Sequence, residues 1–241
     1  AYTQILINGE EVPGAGSSSG AIGNGADTAF FVDRIPAELI SKIEIVRSAS
    51  ANRSGDAMAG AINIVLKDGY ALEGGYVRLG ALAFDDGRVR ESAGAVWGGK
   101  IGDGRLLLGA SVQGRHNPKL KTSLRYDDVG EDLNNSELQR DTRDGTDYSA
   151  NFAWETPVGE NGEFTLDGFY VKTERFQDED SIEYRDGVEA LNNIDIVNSN
   201  DVDIDQESFS VNGGYKLEAF GGKTSFKLGY ASFKDDTFEF E

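Results

Sequence analysis

Residues 35–67, IPAELISKIEIVRSASANRSGDAMAGAINIVLK, carry the pattern from which the rest of the chain can be read. Ile35-Pro36-Ala37-Glu38-Leu39-Ile40 places proline in the first positions of a short helical turn, where its missing N–H removes no hydrogen bond. Ser41 to Arg47 then alternates apolar and charged side chains, as a half-buried strand does. On that strand Glu44 shares a face with Val46, and Arg47 with Ile45. Ser48 to Gly60 is small and polar, with Gly55 and Gly60 as breakers, and Ala61 to Lys67 forms a second strand. Ile43, Ile45 and Val46 on the first strand and Ile62, Ile64 and Leu66 on the second are the apolar side chains expected to bury against each other. The stretch therefore describes a compact α+β element.

Working outward, Gln4 to Val12 reads as two short strands about Asn8-Gly9, a strong hairpin signal. Ala15 to Thr28 is a loop rich in glycine, serine and alanine, and packed structure resumes at Phe30-Phe31-Val32-Asp33. On the other side Asp68-Gly69 ends the element, and from Leu72 onward the chain alternates repeatedly. Tyr148, Ala150, Phe152 and Trp154 share one face of a strand, with Asn151 and Glu155 on the other. Phe209, Val211 and Tyr215 likewise oppose Asn212, Lys216 and Glu218. Strands are expected at about 72–84, 88–100, 104–116, 147–157, 163–176, 207–218 and 223–234.

A soluble β-sandwich alternates too, so the connections have to discriminate. Short turns fall at 101–104, 158–162 and 219–222, whereas 117–146 and 177–206 are long polar segments that read as loops. Structureless loops of that length are uncommon in compact soluble domains. Short turns at one end and long loops at the other are the habit of membrane barrels. Trp97, Trp154, Phe164, Tyr215 and Phe226 sit beside the short turns, where an interfacial aromatic girdle would run. The apolar faces, with Tyr148, Phe152, Trp154, Phe209, Val211 and Tyr215, are expected to meet lipid, and the opposite faces a wet interior.

Composition narrows the function. Hydrophobic residues are 39% of 241, and no run approaches the roughly eighteen apolar residues of a membrane helix. A barrel strand shows lipid only every second residue, so a mean hydropathy of −0.41 does not exclude one. Glycine is abundant (31) and proline scarce (4), which suits long strands and tight turns. A net charge of −19 argues against nucleic acid, and the absence of cysteine excludes disulfides and thiolate metal sites. No signal peptide opens the sequence, so an exported protein would be read here in mature or truncated form.

No catalytic constellation emerges, and the chain is not read as an enzyme. His116, the single histidine, lacks a second His or Cys to share a metal and reads as a solvated residue at the start of a long loop. Asn200 to Glu207 alternates acids, but the calcium-loop pattern fails at Gln206 and Asn212, where Gly and Glu are required. No cofactor or metal is implied.

The order of parts in 35–67 resembles the C-terminal half of the plug of TonB-dependent outer-membrane receptors. In that family an I-x-x-I-E-V-x-R strand, a Gly-rich loop and a G-x-I-N-I-x-x-K strand lead into the barrel. The matching residues are Ile40, Ile43, Glu44, Ile45, Arg47, Gly60, Ile62, Asn63, Ile64 and Lys67. The chain departs from the family in having Ser48-Ala49 after the arginine and Arg53-Ser54-Gly55 in the loop. The resemblance implies a mainly β fold. Residues 1–70 would be the C-terminal part of a small α+β plug domain, and residues 71–241 the first seven or so strands of an incomplete antiparallel transmembrane β-barrel. The family barrel has about 22 strands around a plugged lumen. It further implies a Gram-negative outer membrane, contact with its lipid, and an extracellular small ligand: a ferric siderophore, haem, cobalamin or an oligosaccharide. Import would be powered by TonB with ExbB and ExbD, whose contact motif is absent from this chain. Arg47, Arg53 and Glu44 are the expected plug–barrel contacts. The alternative is a passive pore or surface adhesin without energy coupling, which has no need of an α+β element ahead of its first strand.

Overall fold

Alternating side chains and tight glycine turns produce two sheets. The computed structural model describes residues 4–7, 10–11, 40–46, 61–66, 72–127, 132–219 and 222–240. The smaller sheet has strands β1 (Gln4–Ile7), β2 (Glu10–Glu11), β3 (Ile40–Val46) and β4 (Ala61–Leu66) in the order β2-β1-β4-β3. Ile7 pairs with Glu10 on either side of Asn8-Gly9, as the hairpin signal predicts. The two strands of the opening motif pair antiparallel, Ile43 with Ile64 and Ile45 with Ile62, while β1 joins β4 in parallel.

Burial in this sheet follows strand position. Leu6, Ala61, Asn63 and Ile64, on the two central strands, are buried. Ile43 and Ile45 are not, at 56% and 72% exposure, which corrects the expectation that they fill a core. β3 is an edge strand, so its side chains have a strand neighbour on one side only. Of the expected helical turn, residues 35–39 lie outside the described residues, and Ile40 opens β3 with a register shift before Lys42. Among the described residues there is no α-helix and no plug domain is visible; the α+β expectation is met only in its strands.

The larger sheet is a seven-stranded antiparallel meander, β5 (Gly74–Ala83), β6 (Val89–Ile101), β7 (Gly104–Asp127), β8 (Asp132–Val158), β9 (Gly162–Arg185), β10 (Ile194–Ala219) and β11 (Gly222–Phe240), each strand paired with its sequence neighbours. It is open, with β5 and β11 at its edges. Ile101 pairs with Gly104 across a two-residue turn whose first residue, Gly102, has φ of 61°, as a type II′ hairpin turn requires.

The two expected long loops are strands. Residues 117–127 and 132–146 continue β7 and β8, and 177–185 and 194–206 continue β9 and β10. β8 runs for 27 residues, about 90 Å at the usual rise per residue. Strands this long need no apolar alternation, because the backbone ladder persists while cross-strand ion pairs and amide contacts occupy one face, Arg125–Glu137 and Asn135–Glu183 among them, and Lys172–Asp205 the other.

Register divides the side chains of the sheet into two faces. Tyr148, Phe152, Trp154, Phe209, Val211 and Tyr215 lie on one, and Asn151, Glu155, Asn212, Lys216 and Glu218 on the other. The strongly exposed large apolar residues Val77, Leu79, Leu228 and Tyr230 belong to the first face. Buried Val96, Leu107, Asp147, Val171, Thr173, Ser208 and Ser210 belong to the second. At its short-turn end the polar face carries a small apolar cluster, Val96 and Leu107 with Leu72 and Ala153 packed against them.

Candidate functional site

The apolar face is bounded by two lines of aromatic rings. The first is the expected set. Trp97 pairs with Leu108, Trp154 with Leu106, and Phe164, Tyr215 and Phe226 stand in one register row. The Trp154 and Phe164 rings meet edge to face at 5.8 Å. The second line, Tyr148, Tyr170, Phe209 and Tyr230, was not foreseen as a line. Both step toward the short turns on going from β6 or β8 to β11, so they run parallel to each other and oblique to the register rows. Tilted strands crossing a flat slab give this slant. Six residues separate Trp154 from Tyr148, Phe164 from Tyr170 and Tyr215 from Phe209, about 20 Å along a strand. Between the lines lie Leu108, Ala110, Ala150, Leu166, Gly168 and Val211, an apolar band of the kind that meets hydrocarbon.

Beyond the second line the same face turns ionic within one or two register rows. Lys172 follows Tyr170 and bonds Glu174 at 2.7 Å and Asp205 at 3.3 Å, which together hold its ammonium well above the usual lysine range. Glu207 and Asp205 follow Phe209 on β10, and Lys234 and Asp236 follow Tyr230 on β11.

The opposite face of the extended strands is a hydrogen-bonded wall. At its base Asp147, 4% exposed, receives Arg115 Nε at 2.9 Å, Thr173 Oγ1 at 2.9 Å and Arg175 Nη2 at 3.3 Å. A buried carboxylate with this set of donors is compensated rather than stranded. Further out, Arg143 pairs with Asp141 at 3.1 Å, and Glu179 accepts from Gln139 and Gln177. Arg125 bridges Glu137 at 2.9 Å and Glu183 at 3.0 Å, and the hydrogen bond to Glu183 leads in raising its guanidinium further above neutrality. Gln177 Oε1 and Asn200 Oδ1 are buried acceptors without a hydrogen-bond partner. An unmet buried acceptor costs about 1–3 kcal/mol, so a donor from solvent or from a ligand would be gained there. Chemically, the wall can hold a polar molecule by many weak contacts; it brings together no nucleophile and base.

A third cluster stands where the faces change character. His116, expected in solvent, lies in β7 with its side chain fully buried. Its Nδ1 meets Asp144 Oδ1 and its Nε2 meets Asp86 Oδ2 at 2.7 Å. The Phe84 ring packs edge-on against it, centroids 4.7 Å apart. Arg90 Nη2 lies 2.8 Å from Asp144 Oδ2, Arg88 Nη1 bonds the same oxygen, and Arg90 Nε donates to the Arg115 carbonyl. Gly114 makes the crossing possible, since a Cβ there would sit 3.2 Å from Arg90 Cβ. The Arg88 amide leads in holding the Asp86 carboxyl below its ordinary value. Burial pushes the Asp144 carboxyl up, but hydrogen bonds from His116 and Arg90 outweigh it and leave it lowered.

The other sequence-marked residues are more dispersed. Ile62, Asn63 and Ile64 form the centre of β4, and Asn63 Nδ2 donates to Glu44 Oε2 at 2.9 Å. Glu44 also pairs with Lys42 at 2.7 Å. Arg47, Arg53, Gly60 and Lys67 lie outside the described residues. A usable signal for the missed clusters was present. Folding the sequence about residue 130 sets Arg105 opposite Glu155, His116 opposite Asp144 and Lys119 opposite Asp141, which is the observed register.

No protein-family model and no curated protein matches this chain. Among the solved structures that resemble it in course are two receptor complexes. A mutant of the ferric enterobactin receptor PfeA from Pseudomonas aeruginosa, in complex with enterobactin, aligns with 97% of this chain and 42% of its own length, at 13% identity and a TM-score of 0.41. The ferric enterobactin receptor PfeA in complex with BCV-L6 aligns with 98% and 48%, at 11% identity and a TM-score of 0.40. The chain thus spans less than half of either receptor. Likeness of this degree carries no argument for function, which has to come from the chain's own residues.

Proposed function

We propose that the seven long strands are a section of wall from an outer-membrane receptor-transporter that takes up a polar extracellular nutrient. The observation that carries it is the change along single strands. A face bounded by two oblique aromatic lines about 20 Å apart gives way to strands that are mostly polar on both sides and run far beyond the 9–11 residues needed to cross a bilayer. The short turns then belong to the periplasmic side and the extended strands to the outside, where the Asp147–Glu183 wall faces the ligand. Energy coupling through TonB, ExbB and ExbD rests on the motif of residues 35–67, with Arg47, Arg53 and Glu44 as attachments of the smaller sheet to the wall. The substrate class is a ferric siderophore, haem, cobalamin or an oligosaccharide.

The test has two stages. A peptide tag inserted at residues 128–131 in intact Gram-negative cells should be reached by external antibody, with the protein in the outer-membrane fraction. Ligand uptake should then require an intact tonB gene. A protein found in the soluble fraction, or a tag reached only after lysis, would overturn the wall reading. Surface-exposed protein with TonB-independent flux would leave the wall and establish the passive pore instead.

A further inference from the structure

We infer that His116 is a pH-operated latch: as the doubly protonated imidazolium it ties the Phe84–Arg88 turn to β8, and on losing a proton it lets the Asp86 arm of that turn go. The inference concerns the wall's own conformation and does not depend on what the protein transports. It starts from donors and acceptors. An ionised carboxylate only accepts, so an imidazole whose two nitrogens each face a carboxylate oxygen satisfies both only when both carry hydrogen. In the neutral ring one nitrogen is a lone pair aimed at an oxygen, inside a site where water does not reach the His116 side chain. One of the two contacts then has to open.

The surroundings decide which. Asp144 stands in the β8 ladder and keeps Arg88 and Arg90 as donors whatever His116 does. Asp86 lies in a turn, 39% exposed, and its other partners are the amide and guanidinium of Arg88 on the same turn. The ladder between β6 and β7 stops at Ser92–Gln113, so beyond it the turn is joined to β7 and β8 by side chains. The charged groups facing the ring are Asp86 and Arg88 from the turn, Arg90 from β6 and Asp144 from β8; Arg115, next in β7, points its guanidinium to Asp147 on the other face. With the imidazolium the cluster carries one net positive charge, and the lost proton removes it. The turn itself is spring-free: Gly87 N–H donates to the Phe84 carbonyl at 3.0 Å and Gly87 has φ of 82°, a type I turn closed by a left-handed glycine. Arg88 still holds it to Asp144, so with Asp86 released the turn pivots about that tether without rebuilding.

The sequence contains no cysteine, so a labelled pair is unambiguous. Nitroxides at Asp85→Cys and Thr142→Cys, in detergent-solubilised full chain, report the distance from turn to β8 by pulsed electron resonance. The pH is raised from about 5, where histidine is ordinarily charged, to the alkaline limit of the fold. A single narrow distance is expected at the acid end, with a second, longer component growing toward the alkaline end. The growth should be lost in Asp86→Asn, which alters only the exposed arm, and in His116→Gln. One narrow distance at every pH in the parent pair overturns the latch. So does a pH response that persists unchanged in Asp86→Asn, a variant with no reason to misfold.

Discussion

β8 is two different surfaces on one backbone. From Trp154 to Tyr148 its even-numbered side chains are Trp, Phe, Ala and Tyr; from Thr146 to Arg140 they are Thr, Asp, Thr and Arg, with no break in the ladder between. The strand does not end where its solvent would change. What changes is where the stabilising free energy resides. In the inner half, on the reading proposed above, it is apolar area given to lipid; in the outer half it is charge paired across strands, and the more buried pairs lie on one face of the sheet. A strand can thus outrun its apolar band without a hydrophobic pattern, provided one face satisfies its polar groups.

The largest effect should come from the buried side of the outer half. Asp147→Ala leaves Arg115 and Arg175 facing each other without the carboxylate, and should cost about 3–5 kcal/mol in urea unfolding from lipid vesicles. Asp236→Ala, on the exposed pair with Lys234, should cost at most about 1 kcal/mol. Equal costs would abolish the distinction between the two faces. Next come two leucines on one face of β7. Leu108→Arg, within the aromatic lines, should cost about 2–4 kcal/mol as a charge placed in hydrocarbon. Leu120→Arg, 83% exposed beyond them, should stay within about 0.5 kcal/mol. Similar penalties at both sites would mean that no membrane boundary crosses the strand.

Gly145→Ala sharpens the comparison from the packing side. A Cβ there would lie 2.4 Å from the Glu174 carbonyl and 2.7 Å from Arg175 Cγ, so backbone and arginine must both shift. About 1–3 kcal/mol should be lost, and a melt of the double variant with Asp147→Ala should show less than the sum. The smallest effect is on acid stability. The Asp144 and Asp86 carboxyls lie below their ordinary values when folded, so their contribution is complete above the unfolded value and disappears as pH falls through the folded one. Asp144→Asn should therefore flatten the fall in melting temperature below about pH 4 while lowering stability at neutral pH. An unaltered acid slope would show that these groups carry no linkage.

Much of the inner half was legible, because alternation with one apolar face is a period-two signal: seven strands, their three short turns and the β3–β4 pairing all follow from it. The outer half was not, since Asn117 to Thr146 and Gln177 to Gln206 are mostly polar on both faces, with only scattered apolar residues such as Leu120 and Val197, and leave no hydropathy period to detect. Charge complementarity about residue 130 was the surviving trace. His116 was misjudged for another reason. Its cover comes from Phe84 and Asp86, some thirty residues earlier, and chain-local polarity cannot report a turn folding over from a neighbouring strand. Ile43 and Ile45 failed in the opposite sense: alternation names the apolar face of a strand but not its place in the sheet, and an edge position left them exposed.

The unbroken ladders have a consequence for how such a wall can vary in length. The register shifts of the larger sheet, between Arg125 and Tyr126 and between Ile194 and Ile196, both sit at the far tips. Nearer the aromatic lines one parity runs from the apolar band into the ionic stretch on the same face, so a single inserted residue would exchange the two faces for everything beyond it on that strand. Insertions and deletions are then admissible in pairs along the strands, or in any number at the tips. The outer half can lengthen freely there, while the inner half is locked to a frame of two.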